Sequence, residues 1–340
     1  MSRRKTRVAV LFNAPMLSPD HPDSASEADV AGVARAVAEG LAREGFDAWP
    51  VPAGPPVERV LGLLADPSPD VVFNLIEGFG GASSGEAHVT GLLELLGLPY
   101  TGCPPGAQAL CHSKARTKAI LRGSGLPTAR FAVVRPGDPV PRWDGPWPAI
   151  VKPEAEDASL GIDQGSVAGS PEAIVEGVAR LRVRHGGGVL IEAYLPGREF
   201  NLGILALSEP EALPVAEILY QMPEGSWPIL TYDAKWAVGS VEDLASRPRC
   251  PAEIGPDLAG ELARLAVDAF RATGCRDYAR VDLRLGAGGA PMILEVNPNP
   301  DIGPSAGWAR ALRASGRGYD ATLARLARQA LERGAADGRW

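Results

Sequence analysis

Arg280, Asp282, Glu295 and Asn297 fall in two apolar segments, Tyr278-Ala279-Arg280-Val281-Asp282 and Ile293-Leu294-Glu295-Val296-Asn297-Pro298-Asn299. Both read as strands, and the glycine-rich run Gly286-Ala287-Gly288-Gly289-Ala290 between them suits a hairpin turn. Pairing of adjacent strands would bring the oxygen-bearing side chains of Asp282, Glu295 and Asn297 together. Such a set suits Mg²⁺, a hard ion that takes carboxylate and amide oxygens and completes its octahedral shell with substrate phosphates. Arg280, two residues before Asp282, projects from the same face and can neutralise phosphate charge that the metal does not. Each residue alone has a plainer use, since Asp and Asn are common turn residues and strand arginines are often solvated. Their joint spacing is what points to a metal and phosphate site.

Upstream, Pro148-Ala149-Ile150-Val151-Lys152-Pro153 reads as an apolar strand ending in a lysine, followed by the loop Glu154-Ala155-Glu156-Asp157-Ala158-Ser159-Leu160-Gly161. A lysine so placed can hold an α-phosphate while loop N–H groups reach the outer phosphates, although lysines also end strands for solubility. Val189-Leu190-Ile191-Glu192-Ala193-Tyr194-Leu195-Pro196-Gly197-Arg198-Glu199-Phe200 then supplies a strand, a connector with an aromatic residue, and a second strand opening on glutamate. Connector backbone groups can bond an adenine edge, and Glu199 can accept from ribose hydroxyls. A hinge between domains with solvated acids fits the same stretch.

These groups need a scaffold. A chain of 340 residues exceeds the usual single domain, and the signals divide it into 1–103, 104–196 and 197–340. In the first part strands over 8–12, 48–50 and 71–75 alternate with helices over 28–44, 57–64 and 86–96. That alternation predicts a doubly wound parallel sheet, with ligands beyond the strands' carboxyl ends, here 13–26 and 77–84. A strand-like stretch over 98–102 leads to a helix over 108–124, which carries Lys114, Arg116 and Lys118 and is stopped by Gly125-Leu126-Pro127. Strands over 131–134, 149–152 and 188–192 and a helix over 171–183 follow. The last part has strands over 199–207 and 212–218, the opening hairpin, and amphipathic helices over 257–273 and 319–333.

Composition narrows the partners. A net charge of −7 lacks the basic footprint of nucleic-acid binding, and no apolar run approaches the ~20 residues needed to cross a bilayer. Four scattered cysteines without a Cys-x-x-Cys pair, together with four histidines, argue against structural zinc and for reduced thiols in the cytoplasm. The basic start, Met1 to Arg7, leads into a first strand rather than a signal segment. Small molecules are therefore the expected partners, and the apolar helix over 86–96 could pair two protomers.

The order of Lys152, then Glu192 to Leu195 with Glu199, then Arg280-x-Asp282 and Glu295-x-Asn297 resembles the ATP-grasp superfamily. More narrowly, Val72-Phe73-Asn74, the stretch Leu92 to Gly102, Lys114 to Lys118 and Gly125-Leu126-Pro127-Thr128 resemble the D-alanine:D-alanine ligase family. The resemblance spans nearly the whole chain. It implies an α/β protein of ATP-grasp fold, with an N-terminal doubly wound parallel-sheet domain followed by two α+β subdomains that sandwich ATP. By the same resemblance, Lys114 and Lys152 would contact phosphates, Glu192, Tyr194 and Leu195 would frame adenine, and Glu199 would hold the ribose. Asp282, Glu295 and Asn297 would hold two Mg²⁺, or Mn²⁺ in their place, and Arg280 would stabilise an oxyanion. Ser26-Glu27-Ala28 resembles the family's serine-and-glutamate motif, which makes Glu27 the partner of the first substrate's ammonium. Thr231-Tyr232-Asp233-Ala234-Lys235-Trp236 resembles a mobile loop whose lysine holds the second substrate. The reaction implied is amide formation between amino-acid-like substrates through an acyl phosphate, with a closing segment over 228–238 excluding water.

Departures from the family touch the amino-acid pocket. Glu77-Gly78 stands where the ligases carry His-Gly, and Trp236 replaces the loop tyrosine. The Gly-Ser-Ser-Val-Gly loop reads Asp157-Ala158-Ser159-Leu160-Gly161, which leaves Ser159 as its hydroxyl. After Asn297 the chain runs Pro298-Asn299-Pro300-Asp301-Ile302-Gly303-Pro304-Ser305-Ala306, where the family has a glycine and a later serine for the second substrate's carboxylate. Asp301 would repel a carboxylate, so an amine other than D-alanine, more cationic or peptidic, is expected. The alternatives are a genuine D-alanine–D-alanine ligase of peptidoglycan synthesis, with Ser305 as carboxylate ligand, a nucleotide-binding module without catalysis, and a kinase-like activity that releases an acyl phosphate or uses an oxygen nucleophile.

Overall fold

The computed structural model describes residues 4–14, 16, 24–156 and 159–336, with backbone alone for 24–29. The first unit comprises β1 (Arg7–Asn13), α1 (Ser24–Arg43), β2 (Asp47–Ala53), α2 (Val57–Ala65), β3 (Val71–Leu75) and α3 (Gly85–Leu95). Its strands lie in the order β2-β1-β3, and both pairings are parallel. Apolar residues on both faces of a strand require cover on both sides. Val8, Val10, Phe12 and Phe73 accordingly pack with α1, while Ala9, Leu11 and Val72 pack with Val60 and Leu64 of α2 and Val89 and Leu93 of α3. The stretch over 98–102 forms a single parallel bridge, Tyr100 to Val72, rather than a strand. Pro99 lacks a ladder donor and Gly102 turns the chain at φ 93°.

The chain continues through α4 (Pro105–His112), α5 (Lys114–Gly123), β4 (Phe131–Val134), β5 (Ala149–Pro153), β6 (Val167–Ala168), α6 (Pro171–His185) and β7 (Val189–Ala193). The helix predicted over 108–124 is thus broken in two. Ser113 takes an extended conformation, and its hydroxyl accepts from Arg116 N at 3.2 Å to cap α5. The strands form an antiparallel sheet in the order β4-β7-β5-β6.

The remaining elements are β8 (Glu199–Leu205), β9 (Glu211–Ala212), β10 (Ala216–Tyr220), α7 (Tyr232–Trp236), α8 (Val241–Ala245), β11 (Ser246–Arg249), α9 (Pro256–Ala272), β12 (Tyr278–Leu285), β13 (Pro291–Asn297), α10 (Gly307–Ala314) and α11 (Tyr319–Ala336). The third sheet runs β11-β10-β8-β12-β13, with β9 beside β8. The strand predicted over 212–218 is split around Pro214, which has no N–H to donate. No helix among the described residues is long and apolar enough to cross a membrane.

Three helices pack outside the sheet nearest them in sequence. Cys111 of α4 and Leu121 of α5 join the core under the third sheet, beside Phe270 of α9. Leu323, Leu326 and Ala327 of α11 return to the first core, against Ala34 and Leu41 of α1. Asp277, fully buried with φ 62°, fastens this return: it accepts from Arg333 Nη1 (2.7 Å), Arg333 Nη2 (2.9 Å), Gln329 Nε2 (2.9 Å) and Gly102 N (2.9 Å). Asp277→Asn keeps a residue type tolerant of positive φ but removes the charge. It should lower the unfolding free energy by about 2–3 kcal/mol in denaturant titrations. Arg317→Met, which breaks the exposed pair with Glu211, should cost under about 1 kcal/mol.

Candidate active site

One wall of the site is the third sheet. Because side chains alternate along a strand, Phe200, Leu202, Ala279, Val281 and Leu283 pack under α9. Glu199, Asn201, Arg280, Asp282 and Arg284 face the other way, into a cavity of about 420 Å³. Register sets the chemistry: Asn201 pairs with Asp282, Asp282 with Glu295, and Arg280 with Asn297. A bulge in the β12–β13 pairing skips Leu294, so that Leu294 and Glu295, adjacent in sequence, both line the cavity. The hairpin expected from the sequence is present, and it brings the predicted acids side by side.

The second sheet forms the facing wall. Ile150 and Lys152 of β5 and Glu192 of β7 line the cavity, whereas Val151 and Ile191 pack with Ile174, Val178 and Leu181 of α6. Lys152 Nζ lies 2.7 Å from Glu192 Oε2, and Lys118 of α5 pairs with the other oxygen of the same carboxylate. Lys118 and Glu192 are each 1% exposed, so the group sits out of water. Burial lowers the Lys118 pKa to about 8, against the attraction of Glu192. Burial would raise Glu192, but the two lysines hold it below the ordinary carboxylate value. The Glu192 carboxylate is thus committed to the two lysines.

Glu295 is pulled down to about 2: burial acts upward, but Lys114, Lys152, Arg280 and Lys235 act together to keep it ionised. Asp282 is gripped by Arg280, Nε to Oδ1 at 2.8 Å and Nη2 to Oδ2 at 2.9 Å, and Asn201 Nδ2 donates to Oδ1 at 2.7 Å. No group of three or more His, Cys, Asp or Glu able to hold a metal occurs among the described residues. A cation beside Asp282, Glu295 and Asn297 must therefore complete its shell with phosphate and water, as Mg²⁺ does. Oxygen-only donors, one of them held ionised, fit that ion. At the other end of the cavity, Glu199 accepts from Tyr220 Oη (2.9 Å) and Arg284 Nη1 (3.1 Å). Burial raises its pKa against the pull of Arg284.

A second cavity, of about 590 Å³, lies where the first unit meets the end of β13. Asn13, Glu77, Glu86, Trp236, Asn297, Asn299 and Asp301 are in its wall. Arg280 and Lys235 line both cavities. Lys235 has a lowered pKa through desolvation first and the charge of Arg280 second. Tyr194, Leu195 and Ser159 line the first cavity, Ser159 with φ 61°. Lys114 lines neither: its ammonium donates to the Glu156 carbonyl and lies 3.9 Å from Glu295 Oε2. Ser305 is exposed and outside both walls, because the turn closed by Ala306 N to Gly303 O (2.9 Å) precedes α10 there. The carboxylate ligand expected there is thus placed outside the cavity-lining residues. Asp301 does line the second cavity, with Oδ1 accepting from Gly303 N at 2.7 Å. The side chain of Glu27 lies outside the described residues, as do Asp157 and Ala158.

The fold is that of the ATP-grasp ligases. A crystal structure of D-alanine–D-alanine ligase from Bacillus anthracis, complexed with ATP, superposes with a TM-score of 0.77 over 98% of this chain and 100% of that one, at 19% identity. In sequence, a family profile described as "D-ala D-ala ligase C-terminus" matches residues 120–328. The chain is 33% identical to the D-alanine–D-alanine ligase of Geobacter sulfurreducens over 86% of each protein. It is 35% identical to an uncharacterised protein, y4sG, of Sinorhizobium fredii over 74% of this chain and 72% of that one. The chain belongs to the D-alanine–D-alanine ligase family.

Sequence reading gave no role to several residues that shape the site. Arg284 continues the alternate series Arg280, Asp282, and Asn201 follows Glu199 by the same step, so the period alone could have found both. Lys118 stands one helical turn beyond Lys114, and only its burial distinguishes it from a solvated lysine. Unfolded Lys118 keeps its proton to about pH 10.5, whereas the folded residue gives it up near 8. Between these limits the unfolded state binds more protons, so the contribution of this group to stability rises with pH across the window. Denaturant titrations at pH 7.5 and 9.5 should show an increment of about 1–2 kcal/mol in the wild type that Lys118→Met lacks.

Proposed function

We propose that the chain is an ATP- and Mg²⁺-dependent ligase that joins the carboxylate of one amino-acid-like substrate to the amine of another, releasing ADP and phosphate. One observation carries the reading: Arg280 and Lys235 line both cavities, so a nucleotide in the first and a carboxylate in the second would meet at these cations. The name of the Geobacter relative and the ATP in the Bacillus structure support it.

In the first step a substrate carboxylate oxygen attacks the γ-phosphorus, and ADP leaves behind an acyl phosphate. Charge gathers on the phosphoryl oxygens, and Lys152, with Lys114 behind Glu295, supplies fixed cations in a water-poor cleft. Mg²⁺, or Mn²⁺ in its place, would be held by Asp282, Glu295 and Asn297 and would neutralise phosphate charge. In the second step the amine nitrogen attacks the acyl carbon, the nitrogen loses a proton, and phosphate departs with the C–O bonding pair. Arg280 stands to receive the oxyanion of that step, and Tyr194 and Leu195 frame the base. The segment over 228–238, with Lys235 and Trp236, shields the acyl phosphate from water.

A narrower reading, dimerisation of D-alanine, is favoured by the names of the relatives. The acidic wall of Glu77, Glu86 and Asp301, with Ser305 outside it, favours an amine that is more cationic or peptidic. The reading also places the chain in the cytoplasm, and pairing of two protomers could use α3, where Leu95 is 88% exposed. Amine-dependent phosphate release across a panel, with mass spectrometry of the product, tests both readings. Selective formation of D-alanyl-D-alanine would overturn the broader substrate, and ATP binding without turnover on any amine would overturn the ligase. Glu295→Gln should cut kcat at least about a hundredfold while far-ultraviolet circular dichroism stays unchanged.

A further inference from the structure

Residues 227–236 give Ile229, Leu230, Ala234 and Lys235 to the wall of the first cavity, and contacts from the second and third units hold the segment. From the second unit, Gln164 applies its side-chain amide twice to one residue: Oε1 accepts from Trp227 N at 2.7 Å and Nε2 donates to Trp227 O at 3.3 Å. Close by, Tyr232 N donates to Ile162 O at 3.0 Å. From the third unit, Arg284 Nη2 donates to Pro228 O at 2.6 Å. The same guanidinium donates to Gly197 O (3.0 Å), Glu199 Oε2 (3.1 Å) and Tyr194 Oη (3.2 Å). It lies over the rings of Tyr194 and Tyr220 at 5.1 and 5.7 Å, and Trp227 meets Tyr194 edge-on at 5.2 Å. Arg284 is 4% exposed, so these contacts are made out of water, where hydrogen bonds to a charged donor are strong.

We propose that Gln164 and Arg284 are positioning residues, a two-sided clamp that fixes 227–236 against the nucleotide cavity and thereby sets Lys235 at its junction with the second. Arg284 further ties this placement to the nucleotide, because one planar fork serves both Glu199 and the Pro228 carbonyl. A ribose hydroxyl arriving at Glu199 shares carboxylate oxygens with Arg284, so occupancy of the cavity and the hold on the segment act through one group. Lysine, a point charge with three rotatable donors, would keep the charge opposite Glu199 but could not span Gly197, Tyr194 and Pro228 together. The consequence for Lys235 and Glu199 rests on the ligase reading; the clamp itself rests on the contacts alone.

Limited trypsin digestion, followed by mass spectrometry of cleavage after Lys235, tests the clamp on the whole chain without ligand. Gln164→Ala removes a half-buried side chain from outside the cavity wall and should leave the fold intact, while Arg284→Lys keeps the buried charge. Each should speed cleavage after Lys235 about tenfold. With a β,γ-imido analogue of ATP and Mg²⁺, the wild type should gain further protection. At an analogue concentration that saturates each protein, Arg284→Lys should gain none. Where an amine supports turnover, Gln164→Ala should lose about tenfold in kcat at unchanged KM for ATP. Cleavage at the wild-type rate in both variants overturns the clamp. A wild-type chain that does not bind the analogue overturns the ligase reading instead and leaves the ligand-free comparison standing.

Discussion

The Glu192 carboxylate between Lys118 and Lys152 is the interaction on which the nucleotide side of the structure depends. Two ammonium groups in contact with one carboxylate repel each other, and β5 and α5 could not bring theirs together out of water without that counter-charge. At an effective dielectric of about 20, a single contact at the Lys152–Glu192 distance is worth roughly 6 kcal/mol before desolvation. Removal of three ions from water takes back much of that gain. Net stability is therefore a poor account of the triad. Its effect is geometric: the contact with Glu192 holds the scarcely exposed Lys152 in the cavity wall.

Facing that lysine, the third sheet carries the opposite solution. Glu295 is kept ionised by four cations on other elements, and Asp282 accepts from the fork of Arg280. Direct bonds tie the two walls to each other. Thr128 Oγ1 donates to Ile293 O at 2.7 Å while accepting from Lys118 Nζ at 2.9 Å, which links the buried triad to the strand that carries Glu295. Cation and carboxylate thus share one network across the cleft. The Thr128 hydroxyl thus bonds both to the buried triad and to the strand that carries Glu295.

Much of this was legible in the sequence because strand chemistry is local. Val71–Leu75 and Phe131–Val134 are β-branched or aromatic runs with clear stops, and their predicted bounds match the structure. The hairpin was legible because glycine marked its turn and acids marked its open end. Longer-range facts were hidden. Nothing in the period of 108–124 shows that Ser113 leaves the helix, since its hydroxyl replaces the missing backbone acceptor only once α5 has turned away. The amphipathic pattern of α11 announces a buried face but not that α1, almost three hundred residues earlier, covers it. Among site residues, Lys152 and Arg280 were visible by spacing, whereas the commitment of Glu192 to two lysines was not, because a sequence does not show which charges lose water.

Ser305 and Asp301 show the same limit at the substrate end. Alignment by order alone assigns a carboxylate ligand to whichever hydroxyl follows Asn297, but the turn through Gly303 and Pro304 directs Ser305 to solvent and leaves Asp301 in the cavity wall. The charge balance of the cleft changes accordingly along its length. Cations gather around Glu295 and Glu192, where a polyphosphate would need them, and carboxylates from three separate segments, Glu77, Glu86 and Asp301, gather in the second cavity. A substrate spanning that gradient would be drawn with its negative end toward Arg280 and Lys235 and its positive end toward the first unit. A carboxylate must take that orientation to reach the γ-phosphate. The acids of the second cavity can therefore orient the reacting group as well as select the molecule that carries it.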